Sequence, residues 1–557
     1  MIPVCGLPVL SYNGGSNPGS DSLAIETKPT PAQQQTEEPT IGRSASLVAA
    51  GIFLSRLFGL FRESIFAHFF GSSFAADAFR AALRIPNVLQ NLFGEGALSA
   101  SFIPVYAKLT ARGEKDEAGR VAGAVFSLLA IVTSIFVLIG VLATPYLIEA
   151  IAPGFHGETR RLAIQLVRIV FPGVGLLVLS AWCLGILNSH RKFFLSYAAP
   201  IVWNLSMIVA LLVFGWKASI SYLAVYLAWA LVIGSALQFL VQVPAVLKLA
   251  PSLRLALATT DEHVRTVIRN FVPAFLSRGV VQISGFVDAF LASFLPEGSL
   301  AQLTYGQTLY LLPVSLFGMS ISVAELPAMS SALGTEQEIA TTLRQRLLSS
   351  TKRIWFFVIP SAVAFFALGD VIAAAIYQSG RFTHQDAIYV WAILAGAAIG
   401  LVAQTVGRLY SSAYYALRDT RTPMRFAILR VILTTGLGFL FAIPLPKLVG
   451  IAPQWGTAGL TASAGIAGWL EFILLRRGMN QKIGKVPFPP LEFVKLWGSA
   501  IIAAAAAWAI KIALHPTHPR VAAVLILIPY GAVYLGITAL LGLNQAGPIL
   551  SRLTRRR

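Results

Sequence analysis

Asp77, Arg80, Arg84, Asn87 and Asn91 recur at spacings of three or four within a run of Ala, Leu, Ile, Val and Phe. That spacing sets them on one face of an α-helix. A charge at the centre of a bilayer costs about 2.5–3.5 kcal/mol on insertion scales. A helix that carries several must turn them toward a wet cavity or partner helices. The stripe is therefore the first candidate for a ligand-binding surface.

The setting is a membrane. Of 557 residues, 56% are hydrophobic and only 12% charged, too few charges to cover a soluble protein of this size. Fourteen apolar segments, with approximate edges whose terminal basic residues count with the loops, follow one another at 44–70, 74–108, 118–151, 162–188, 193–215, 219–247, 266–295, 299–333, 347–377, 386–416, 422–444, 453–475, 494–513 and 520–545. Each is long enough to span hydrocarbon. The runs are continuous and do not alternate, which excludes a β-barrel. The expected fold class is an all-α polytopic membrane protein of about 14 transmembrane helices.

The loops set the orientation. Loops after even-numbered segments, with the C-terminal tail, hold 27 Lys and Arg; loops after odd-numbered segments hold 7. The excess predicts that both termini are cytoplasmic. It also accounts for the formal charge of +19, which in a soluble protein would suggest nucleic acid. Residues 1–43 are rich in Ser, Gly, Pro, Gln and Thr, have no hydrophobic period, and read as a disordered cytoplasmic tail. They lack the basic start and apolar core of a secretory signal.

Of the nine other basic residues, Lys28 and Arg43 lie in the tail; the seven deep inside segments are all arginine: Arg56, Arg62, Arg80, Arg84, Arg168, Arg278 and Arg408. Guanidinium stays charged when partly dehydrated and grips phosphate oxygens with two parallel bonds. An anionic, phosphorylated ligand follows as the expectation. Pairing with Glu63, Asp77, Glu95, Asp288 or Glu325 is the alternative use for any one of them.

Enzyme chemistry finds no support. The seven histidines form no HExxH pattern, the two cysteines no metal cluster or disulfide framework, and no G-x-S-x-G or GK[ST] loop occurs. No cofactor, metal or nucleic-acid partner is expected. A faint internal echo is present: Leu92-Phe93-Gly94 precedes Pro104 as Leu316-Phe317-Gly318 precedes Pro327. Two related halves with a site between them are a common transporter plan.

Several stretches resemble one family. Ser55-Arg56-Leu57-Phe58-Gly59-Leu60-Phe61-Arg62-Glu63 resembles the first helix of the MurJ/MviN lipid II flippases. Ala76-Asp77-Ala78-Phe79, Arg84-Ile85-Pro86-Asn87, Leu92-Phe93-Gly94-Glu95-Gly96-Ala97-Leu98-Ser99 and Phe102-Ile103-Pro104 resemble its second. Ala152-Pro153-Gly154-Phe155, Gly380-Arg381-Phe382 and the stretch from Tyr414 to Pro423 are similar to later signatures.

The resemblance implies an exporter-superfamily fold: an N-lobe at 44–250, a C-lobe at 251–477, and two further helices with a basic tail at 478–557. Two six-helix lobes would surround a central cavity, and the extra helices would help form a groove for a lipid tail. It implies transport of lipid II, an undecaprenyl-pyrophosphate-linked peptidoglycan precursor, from the inner to the outer leaflet of the bacterial cytoplasmic membrane by alternating access. The chain would work as a monomer among membrane lipids, with possible coupling to a monovalent cation or to membrane potential. An exporter of another polyprenyl-pyrophosphate glycan, or a drug or cation antiporter, is the alternative within the superfamily.

By position, Arg56, Arg62, Asp77, Arg84, Asn87 and Glu95 match family polar residues. Two family arginines are replaced here, by Gln90 and by Thr308 ahead of Pro313. Arg278 and Arg80 are the expected substitutes. Asp288 lies ten residues beyond Arg278, about 80° off its face on an ideal helix. A direct pair would need a bend at Gly279 or Gly285; otherwise Asp288 is free to hold a coupling cation.

Overall fold

Hydrocarbon offers the backbone no hydrogen-bond partner, so a spanning segment must satisfy its own N–H and C=O groups, as an α-helix does. The computed structural model describes residues 38–93, 97–257, 260–332, 334–543, 545 and 547, and among them contains helices and no strands. In chain order the helices are α1 (Glu38–Phe70), α2 (Phe74–Asn91), α3 (Ala97–Ala111), α4 (Lys115–Leu142), α5 (Thr144–Ile151), α6 (Gly157–Ser189), α7 (Phe193–Phe214), α8 (Ile220–Leu249) and α9 (Glu262–Ser293). Then follow α10 (Ser299–Pro313), α11 (Ser320–Ser330), α12 (Glu336–Tyr377), α13 (His384–Ala416), α14 (Arg421–Ala442), α15 (Pro444–Val449), α16 (Gly456–Ile483), α17 (Pro490–Leu514) and α18 (Pro519–Leu540).

Among the described residues eleven spans are long and apolar enough to cross a membrane. They answer to eleven of the fourteen expected segments. Those left over are the segments at 44–70, 74–108 and 266–295, which carry most of the intramembrane charge. The segment at 74–108 is not one helix: α2 stops at Asn91, and α3 begins at Ala97. The expected segment at 299–333 is interrupted by a π-helical turn at Val314–Met319 between α10 and α11. Leu92 and Phe93 lie in a turn of the same kind. The sequence echo thus falls on matching irregularities in the two halves.

Packing sorts the helices. α1, α2, α6, α7 and α8 pack on one another, and α12, α13, α14 and α16 do likewise. Helix α9 belongs to both groups. Its first turns bury Val264 and Val267 in a core with Phe93, Leu98, Val125 and Val246. Its last turns bury Ala289, Leu291 and Ala292 in the main core. Helices α13 and α16 approach most closely at Gly400 and Gly465, where a Cβ on Gly400 would lie 2.2 Å from the Gly465 Cα.

The last two helices are fastened to irregular points of α12. Pro360 has no N–H for the Phe356 carbonyl one turn earlier. The Tyr534 hydroxyl of α18 donates to that carbonyl at 2.7 Å, and Tyr530 donates to the Pro360 carbonyl at 2.6 Å. A second break falls at Leu368 (φ −129°, ψ 16°). Just before it, Trp508 of α17 donates to the Ala367 carbonyl and Trp391 of α13 to the Phe366 carbonyl, both at 2.8 Å. The Lys511–Asp370 pair (2.5 Å) adds a further tie. An apolar cavity of about 500 Å³ lies between α12, α13 and α17, lined by Val363, Phe366, Ile399, Trp497 and Ile501 among others.

Candidate functional site

Helix α2 changes character along its length. Residues 75–83 are buried, Arg84 is half-buried, and Asn87 and Asn91 are exposed. One end of the polar stripe is therefore sealed between helices while the other opens.

The sealed end is held by Asp77. Its carboxylate accepts the Gly298 N–H at 2.6 Å and the Ala301 N–H at 2.8 Å, capping α10 from a neighbouring helix. The first N–H groups of a helix have no partner within it, and its dipole favours a negative charge there. Glycine at 298 takes the left-handed conformation (φ 88°), and its backbone touches Ser72 too closely for a side chain. Other bonds reinforce the seam. Tyr305 donates to the Gly71 carbonyl (2.9 Å), the Arg381 N–H to the His68 carbonyl (2.8 Å), and Ser64 to the Ile376 carbonyl (2.5 Å). Ser293 accepts the Gly154 N–H at 3.1 Å. Asp77 thus joins two groups of helices, and both of its oxygens are engaged by protein.

Below this seam sits a buried ion cluster. Glu63 pairs with both Arg62 and Arg80. Arg80 is 6% exposed, with its guanidinium over the rings of Phe66 (4.1 Å) and Tyr305 (5.3 Å). Arg62 lies over Trp203 at 4.8 Å. Arg80 is expected from sequence to face a ligand; the structure instead builds it into the wall. The reason is Glu63, which meets it across the α1–α2 interface and neutralises it.

Arg84 is placed differently. It donates to the Gln307 side-chain carbonyl (3.4 Å), and Gln307 donates to Asp288 Oδ2 (3.1 Å). An amide therefore relays between a guanidinium on α2 and a carboxylate on α9. Gly285 makes room for this: a Cβ there would meet Arg84 Nη1 at 3.4 Å. Asp288 has Arg84 and Arg430 as electrostatic neighbours, so a cation at that carboxylate would compete with two guanidiniums. Arg56 is exposed and reaches across to donate to Ser315 at 2.9 Å, in the π-helical turn. Glu95 lies outside the described residues, as does the side chain of Arg278, whose backbone is part of α9.

Three participants escape the sequence reading. Gln307 is a neutral residue in an apolar helix and carries no charge signal. Arg430 is counted there with the loop charges after the tenth segment, yet it lies nine residues inside α14. Its partner Glu471 (3.3 Å from Nε) is the lone acid of α16. That an acid interrupts so apolar a segment is the signal that could have exposed the pair.

The site is thus a polar face along α2, buried at the Asp77 end and exposed at Asn87 and Asn91, with Arg84 bonded to Gln307 and Arg56 to Ser315. It can hold an anion, and it holds no grouping suited to covalent chemistry. A family model described as lipid II flippase MurJ matches residues 66–530. The lipid II flippase MurJ of Burkholderia cenocepacia is 31% identical over 471 residues, covering 83% of this chain and 88% of the relative. The probable lipid II flippase MurJ of Bdellovibrio bacteriovorus is 30% identical over 526 residues, 91% of this chain and 96% of that one. A solved structure of a lipid II flippase MurJ in an inward closed conformation superposes with a TM-score of 0.73 at 26% identity, over 89% of this chain and 98% of that one. An inward-facing multidrug transporter of the MATE family, in the MOP superfamily, shares the fold at 18% identity (TM-score 0.62; 77% of this chain and 95% of that one). With a buried carboxylate-capped seam, arginines along the polar face of α2 and this agreement along most of its length, the chain belongs to the MurJ family of lipid II flippases.

Proposed function

We propose that this chain moves lipid II across the cytoplasmic membrane, from the inner to the outer leaflet, by alternating access. The observation that carries this reading is the one-sided polar face of α2: buried at Asp77, exposed at Asn87 and Asn91, with Arg84 and Arg56 reaching Gln307 and Ser315 beside it. A diphosphate cannot enter hydrocarbon bare, because burying an unpaired anion costs many kcal/mol. Guanidiniums in a wet passage replace its hydration. The prenyl chain has an apolar place in the cavity between α12, α13 and α17, or stays in lipid.

The charge bias of the loops supports cytoplasmic termini and hence a passage open to the cytoplasm. Rocking of residues 44–250 against 251–477 would part the Asp77 seam and close the opposite end, with 478–557 carried along on α12. The site is complete within one chain, which supports action as a monomer. Membrane potential or a monovalent cation would supply direction, with Asp288 as the carboxylate on which a cation would act.

Depletion of the protein in its host, with an assay of which leaflet holds lipid II, tests the function. Lipid II is expected to accumulate in the inner leaflet; an unchanged distribution overturns the reading.

A further inference from the structure

Arg408 is a charged side chain that neither the family motifs nor the stripe on α2 explains. It sits on α13, eight residues before the helix ends at Ala416. Its neighbours Gly407, Leu409 and Tyr410 are buried, yet Arg408 itself is exposed. Among the described residues it makes no hydrogen bond or salt bridge. A guanidinium left free so far inside an apolar helix must face water, since lipid would penalise it heavily.

What surrounds it is polar and comes from several helices. Arg430 of α14 and Glu471 of α16 are its electrostatic neighbours, as is Tyr310 of α10. Tyr310 in turn has Arg84, Arg408, Arg430 and Asp288 as electrostatic neighbours. Guanidiniums of α2, α13 and α14 thus share one phenolic neighbour. Glu471 engages Arg430 through Nε, which leaves the outer nitrogens of that guanidinium for another acceptor.

We propose that Arg408 and Arg430 form the second half of the diphosphate site, facing Arg84, with Glu471 positioning Arg430. The inference rests on the lipid II reading and deepens it. Two adjacent guanidiniums repel each other, and one carboxylate cannot satisfy both. A diphosphate does so, because each phosphate presents oxygens at the spacing of the guanidinium fork. The arginine pair also supplies positive charge that the walls lack: Gln90 and Thr308 bring none, and Arg80 is paired with Glu63. A ligand held between Arg84 and the Arg408–Arg430 pair is gripped by both groups of helices at once. Its binding draws them together, which is the differential contact a conformational change requires.

The test uses the full chain in lipid nanodiscs. The probes are lipid II with a shortened prenyl chain, undecaprenyl pyrophosphate, and undecaprenol as a lipid without phosphate. The variants are Arg408→Gln, Arg408→Lys and the pair Arg430→Gln with Glu471→Gln, which removes both partners and leaves no orphaned charge. Loss of charge-assisted bonds predicts about tenfold to a hundredfold weaker binding of both diphosphate lipids to Arg408→Gln and to the pair variant. Arg408→Lys should fall between wild type and Arg408→Gln, and should bind with a steeper dependence on salt. Undecaprenol binding should not change in any variant. Wild-type affinity for the diphosphate lipids in Arg408→Gln overturns the proposal. If the pair variant does not fold, Arg408→Gln decides alone. If the wild-type protein itself binds neither diphosphate lipid, the lipid II reading fails first, and the proposal with it.

Discussion

At the scale of single residues, Glu63 shows how close wall and site lie. Its carboxylate is shared by Arg62 and Arg80, which leaves the buried cluster one net positive charge. Removing one partner of a buried ion pair leaves an uncompensated charge, at about 3–5 kcal/mol. Glu63→Gln should therefore lower the thermal midpoint in detergent sharply, whereas Arg56→Gln, at an exposed position, should leave it nearly unchanged. Asp419, in the turn between α13 and α14, offers a pH test outside the membrane. Burial opposes its ionisation, but Lys482 and the N–H and hydroxyl of Thr422 outweigh it and hold the carboxyl well below the usual carboxylate range. The folded value is depressed, so the stabilisation is complete above the unfolded value of about 3.9 and fades as pH falls toward the folded one. Asp419→Asn should lower the melting temperature at pH 7 and flatten its decline on acidification, as a pH series of thermal scans would show.

At the scale of elements, each irregular helix is completed by a neighbour. The carbonyl that Pro360 leaves open in α12 receives Tyr534, and indoles cover the two carbonyls before the break at Leu368. In hydrocarbon such groups have no water to turn to, which explains why α17 and α18 sit where they do. Close packing has a similar cause at Gly400 and Gly465, where two backbones meet. Gly400→Val should force α13 and α16 apart at a cost of about 1–3 kcal/mol. Thermal unfolding checks the size, and the effect should be smaller at Gly436, where a side chain meets open space.

At the scale of the whole molecule, Asp77 is the tie whose release matters most. Asp77→Asn keeps the shape but removes the charge that caps α10, and it replaces one acceptor oxygen by a donor. The seam should open more often. A cysteine at Ser73 should then react faster with a membrane-impermeant thiol reagent in the Asp77→Asn background than beside Asp77; equal rates would show that the seam is held by its other bonds. Much of this architecture is legible from sequence. Apolar length determines which segments cross the membrane, because transfer free energy depends on composition and not on partners. The spacing from Asp77 to Asn91 places a polar face on a helix. What the stripe does is another matter. Asp77, Arg80 and Arg84 share one face, yet one caps a distant helix, one is neutralised in the wall and one reaches Gln307. Periodicity cannot separate them, because the difference lies in residues hundreds of positions away or on another helix. Nor could it count Arg430 and Glu471 as a pair, since an arginine near a segment edge looks like a loop charge until the helix is seen to begin at Arg421. The sequence by itself determined the solvent each segment meets, because transfer from water to hydrocarbon depends on composition alone. Only tertiary structure decided which charges neutralise one another and which remain free to bind, because that depends on distances between helices that no local pattern encodes.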